Sequence, residues 1–143
     1  MIEKISVDSV LLALIIRRNF TKDGIEFFTP QNFSQQLAYM KRKAGYVIAP
    51  HVHNIVERKV EYTQEVLFIK SGKVRVDFYD ENKKYIKSTV VETGDVILLA
   101  HGGHGFEMLE ESEIIEVKQG PYLGEEDKVR FDPIDKSELK VDL

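Results

Sequence analysis

From Tyr46 onward the apolar residues recur at every second position, in short runs that end at Gly, Asp or Asn. This period limits the fold more than any other feature, because only a strand turns alternate side chains to opposite faces. Val74, Val76 and Phe78 alternate with Lys73, Arg75 and Asp77, so one face is expected to be buried and the other wet. Asp80 to Lys84 is a polar turn and Tyr85 to Val91 a returning strand, which predicts a hairpin. Val96 to Leu99 and Ile114 to Val117 are nearly unbroken apolar runs with β-branched members, expected as strands packed between two layers. Upstream, Ile5 to Arg17 and Ile25 to Thr29 are strand candidates separated by a turn at Thr21 to Gly24. Asn32 to Tyr39 reads either as a helical turn or as a loop.

A chain of 143 residues has the size of one domain, and folding should bury roughly two-thirds of the surface that the unfolded chain exposes. No internal repeat or linker divides it, so the expectation is a single all-β domain over 1–143 with about eight to ten strands, closed as a barrel or jelly roll. The barrel core should span about 5–120, because charge density rises and the pattern weakens after Gly120 and Pro121. That leaves 121–143 as a C-terminal surface extension. The apolar run Val10 to Ile16 should lie near a sheet edge unless a second copy covers it, which predicts a homodimer.

The formal net charge of -4 argues against a nucleic-acid partner, and the brief basic triplet Lys41, Arg42 and Lys43 offers too few phosphate contacts to reverse that. Val10 to Ile16 stops at Arg17 and Arg18, far short of the ~20 apolar residues of a membrane span. Glu3 and Asp8 interrupt any signal peptide, so no membrane contact and a cytoplasmic location are expected. With no cysteine, thiolate catalysis and thiolate metal sites are excluded, and histidine and carboxylate remain as ligands.

All four histidines fall into two tight groups, His51 and His53 in APHVHN, and His101 and His104 in AHGGHG. In a strand, residues two apart share a side, so His51 and His53 would offer both imidazoles to one point. Glu65 begins the alternating set Glu65, Leu67, Ile69, which puts a carboxylate on a buried face where it needs a cation or strong donors. Two or three imidazoles and one carboxylate suit a first-row divalent ion, whether Zn, Fe, Mn or Ni. A His-x-His pair alone is more often a surface feature, so the reading rests on the whole constellation.

Gly45, five residues, His51-x-His53, then Glu65, six residues and Gly72 resemble the first motif of the cupin superfamily. Gly94, five residues, Ala100-x-Gly102, His104, three residues and Met108 resemble the second. The resemblance implies a double-stranded β-helix (a jelly-roll barrel) holding one divalent metal ion with His51, His53, Glu65 and His104. The chain departs from the pattern in four places. Eleven residues, Asn54 to Gln64, stand where the family has three or four, and Glu57 or Glu61 could compete with Glu65. Ala100 replaces a proline, Met108 an asparagine, and one residue is missing before His104, which leaves His101 as the alternative ligand.

HVHN, TQEVLFIKSGKVRVDFYD, GDVILLA, GGHGFEMLE and EVKQGPY are similar to segments of small single-domain cupins associated with bacterial surface-sugar metabolism. That likeness implies a metal-dependent protein acting on a small polar metabolite such as a sugar or sugar-nucleotide derivative, as an isomerase or epimerase. An iron-dependent dioxygenase and a non-catalytic metabolite-binding module use the same ligands and stay open. Tyr39, Tyr46 and Tyr62 are candidates to stack on a ligand, although packing is the commoner use of such residues. Glu116 and Lys118 share a strand face, as an acid/base pair or, more simply, as an exposed charge pattern. Val56, Val60 and Tyr62 alternate within the insertion, which predicts a short projecting hairpin whose Arg58 or Lys59 meets an anionic ligand.

Overall fold

The computed structural model describes residues 1–142. Eleven strands follow in chain order: β1 Ile2–Val7, β2 Val10–Ile16, β3 Gly24–Phe27, β4 Ala38–Lys41, β5 Glu65–Ser71, β6 Lys73–Tyr79, β7 Tyr85–Glu92, β8 Val96–Leu99, β9 Gly103–Met108, β10 Glu113–Lys118 and β11 Val141–Asp142. Two short 3-10 turns, Gly124–Asp127 and Lys136–Glu138, are the only helical elements among the described residues. The all-β expectation therefore holds, and Asn32 to Tyr39 contains no helix.

Contacts divide the chain into two compact units, Met1–Phe20 with Tyr62–Leu143, and Thr21–Glu61. The smaller unit contains one antiparallel pair, β3 with β4. The larger contains a five-stranded sheet in the order β1-β2-β8-β5-β10 and a four-stranded sheet in the order β11-β7-β6-β9. Ile5, Leu12, Ala13, Ile15, Leu67, Ile69, Ile97 and Leu99 from the first sheet and its turns meet Val74, Val76, Phe78 and Val91 from the second in one core. Each large apolar side chain so buried contributes about 1.5–3 kcal/mol. The β6–β7 hairpin forms as the sequence predicts, and Asp80 closes its turn by accepting from the Asn82 and Lys84 amides.

Three expectations need correction. The sheets do not close into a barrel: the strands of the larger unit form two separate sheets with free edges, and residues 42–64 contribute no strand to either. Val10–Ile16 is not at an edge, because β2 pairs with β1 on one side and β8 on the other, so the edge argument for a homodimer falls. The run Ile114 to Val117 is only half enclosed. Its strand β10 is the edge of the larger sheet, and Ile115 and Val117 stay exposed on the outer face beside Phe68.

One charged cluster holds the two sheets together. Arg17 follows β2 and donates to both oxygens of Glu3 on β1, to Asp95 ahead of β8, and to Thr89 and the Val90 carbonyl on β7. The C-terminal extension is likewise attached to the four-stranded sheet. β11 pairs in parallel with β7, and the Ile134 amide donates to the Tyr79 hydroxyl at 3.0 Å.

Candidate functional site

Glu65 opens β5, and the alternation that buries Leu67 and Ile69 also turns its carboxylate inward, leaving 13% of the side chain exposed. Its neighbours across the ladder are Leu99 on β8 and Lys118 on β10. His104 lies on β9, opposite Phe78 of β6, and its ring stands beside Phe106. The two side chains come from different sheets and meet at one end of the sandwich, with His104 Nε2 3.4 Å from Glu65 Oε2. Hydrogen bonding from His104 holds the Glu65 carboxyl below the ordinary glutamate range. Burial opposes that shift, and the charges of His104, Lys118 and Lys128 add to it.

This pair passes a simple test of fit for a divalent ion. Ligand bonds of about 2.1 Å at a tetrahedral angle place two donor atoms about 3.4 Å apart, and an imidazole nitrogen with a carboxylate oxygen is an ordinary donor set for such ions. Around the pair the side chains are already engaged. Lys118 bonds Glu116, two residues away on the same strand, at 3.0 Å, and Thr63 donates to Asp127 at 2.6 Å.

His101 is turned to a different task. Its ring makes an edge-on contact with Tyr62, centroids 4.6 Å apart, so of the two second-group histidines it is His104 that stands against Glu65. The turn that separates them is forced to be glycine. Gly102 has φ +71°, and a Cβ there would fall 2.3 Å from the Tyr79 carbonyl oxygen.

His51 and His53 lie in the Thr21–Glu61 unit, and they do not lie on a strand as the sequence predicts. No ladder partner holds residues 47–61, so the regular alternation of a strand is not imposed there. The two rings nonetheless meet edge to face, centroids 5.3 Å apart. His51 Nδ1 donates to the Ala49 carbonyl at 3.0 Å, a bond that in the neutral ring puts the lone pair on Nε2. Among the described residues no group of three or more His, Asp or Glu side chains stands in a metal-holding arrangement.

The remaining candidates are surface groups. Tyr46 lies under the Arg42 guanidinium at 4.6 Å. The insertion is not a hairpin: Arg58 bonds the Val56 carbonyl, Lys59 pairs with Glu61, and no strand forms between them. Without cross-strand partners Val56 and Val60 stay exposed, and of the alternating set only Tyr62 finds a contact, against His101. Sequence reasoning missed Phe131, whose ring lies against the backbone of Gly103 next to His104; an isolated aromatic in a charged tail was the only available signal. No helix among the described residues is long and apolar enough to cross a membrane. Compared with known proteins, the chain matches no protein-family model, no curated protein and no solved structure.

Proposed function

We propose that this chain is a cupin-type jelly-roll protein that binds one divalent metal ion and acts on a small polar metabolite, most simply a sugar or sugar-nucleotide derivative, as an isomerase or epimerase. The observation that supports it is the Glu65–His104 pair, an inward carboxylate and an imidazole at ligand spacing on two facing sheets. The resemblance to the cupin motifs implies His51 and His53 as further ligands of that ion. A bound divalent ion would supply Lewis acidity toward a carbonyl or hydroxyl oxygen. A nearby glutamate or tyrosine would move the proton, and Tyr46, Arg58, Lys59 and Tyr62 would meet the ligand, the two cations taking an anionic group.

Elemental analysis of protein reloaded with Zn, Mn, Ni or Fe tests the reading, followed by a screen of sugar phosphates and nucleotide sugars for proton exchange at a substrate carbon. About one ion per chain is expected. Protein that stays metal-free after reloading overturns it, and iron with oxygen uptake replaces the isomerase by an oxygenase. A homodimer belongs to the same proposal. Its support is the exposed apolar row Phe68, Ile115 and Val117 on the outer face of β5 and β10, and light scattering that gives a monomer at micromolar concentration removes it.

A further inference from the structure

Between β8 and β9 the chain turns through His101, Gly102 and Gly103 before it reaches His104, and the turn is braced from several directions. The Ala100 and His101 amides both donate to the Leu12 carbonyl, at 2.8 and 3.4 Å. Gly102 lies against the Tyr79 carbonyl, and a Cβ at Gly103 would stand 3.0 Å from Cζ of Phe131. Phe131 in turn meets the Tyr79 ring edge-on, centroids 4.9 Å apart, and the Tyr79 hydroxyl accepts from the Ile134 amide. Farther along β9, Lys136 pairs with Glu107 at 2.8 Å. The C-terminal extension thus grips β9 on both sides of His104, at Gly103 and at Glu107.

We propose that Phe131 is a positioning residue for His104, so that the C-terminal extension sets the geometry of the histidine that faces Glu65. The proposal deepens the metal-binding reading and rests on it for its consequence, but the placement of His104 can be read without metal. Gly103 is the residue before His104 on the strand, a Cβ there would stand 3.0 Å from the Phe131 ring, and its ladder partner is Tyr79, which meets Phe131 edge-on. A ring removed at this point leaves the start of β9 free to move toward the space it filled, and His104 moves with it.

The test compares wild type with Phe131→Ala and a core control, Ile69→Val, in the full chain. In metal-free protein, the His104 imidazole resonances should shift in Phe131→Ala and stay at their wild-type positions in Ile69→Val. In zinc titrations, Phe131→Ala should bind about tenfold more weakly, the lower end of what losing a ligand's support costs, and Ile69→Val should bind as wild type does. If Phe131→Ala fails to fold, Gly103→Ala displaces the same ring from the opposite side and should give the same two changes. Unshifted His104 resonances in a folded Phe131→Ala or Gly103→Ala variant overturn the proposal. Shifted resonances in a protein that binds no zinc even as wild type support the positioning role and overturn the metal reading instead.

Discussion

Arg17 and Asp95 form an ion pair inside the sandwich, with Nη1 2.8 Å from Oδ2 and only 4% of the Asp95 side chain exposed. Asp95 also accepts from the Arg18 and Glu92 amides, so three of the roughly four lone-pair sites of its carboxylate are used. Removing one partner of a buried pair typically costs about 3–5 kcal/mol, and because Glu3 still pairs with Arg17 the loss of Asp95 belongs at the lower end of that range. Asp95→Ala should therefore lower the unfolding free energy by about that amount in urea titrations. Glu26→Ala, which breaks the exposed pair with Lys22, should change it by less than about 1 kcal/mol. Equal effects of the two variants would refute the structural role given to Arg17.

The strands of the larger unit were legible because their partners impose a strict period. Val74, Val76 and Phe78 are buried as the alternation predicts, and the same rule found Glu65 beside Leu67 and Ile69, but the face of β6 expected to be wet is not, since Asp77 is buried there beside Arg75 and Ser88. The rule does not say where a strand sits in its sheet. Ile114, Ile115 and Val117 read as interior, yet β10 is an edge and its outer face is bare. It also cannot say that a strand will find no partner, which is why His51 and His53 were expected on one and are not. The attachment of the tail depends on Phe131, Ile134 and Lys136, three contacts at unequal spacing that leave no periodic trace.

The pH dependence of stability follows from Glu65. Its folded-state pKa is depressed by His104, so the carboxylate contributes stability that is fully present above the unfolded value of about 4.3 and is lost as pH falls through the lower folded value. Glu65→Gln removes that contribution. Metal-free wild type and Glu65→Gln should differ most in unfolding free energy near neutral pH, and the gap should narrow below about pH 4.3. A gap that widens on acidification would mean that burial, the opposing effect, outweighs the bond to His104.

The division of labour between the two second-group histidines gives a metal-binding prediction. His104 faces Glu65, whereas His101 is engaged edge-on by Tyr62. His104→Ala should abolish binding of zinc or nickel in a calorimetric titration, and His101→Phe, which preserves the aromatic contact without a ring nitrogen, should keep one ion per chain. Loss of the ion in His101→Phe would transfer the ligand role to His101.

The stretch Ile55 to Val60 offers the last test. Ile55, Val56 and Val60 are exposed, the Arg58 hydrogen bond and the Lys59 ion pair stay within residues 56–61, and no strand holds the segment. Its folding contribution is accordingly small, and replacing Ile55 to Val60 by a short glycine-containing turn should change the unfolding free energy by no more than about 0.5 kcal/mol. The replacement stops short of Tyr62 and Thr63, whose contacts with His101 and Asp127 belong to the larger unit. If Arg58 and Lys59 meet an anionic substrate, the variant should retain its metal but bind that substrate at least tenfold more weakly, a loss of about 1.4 kcal/mol. Titration with a nucleotide sugar and with its uncharged parent sugar separates the two contributions. Only the charged ligand should lose affinity, because the segment supplies cations and no packed apolar surface; equal losses for both ligands would place recognition in the shape of the segment rather than its charge.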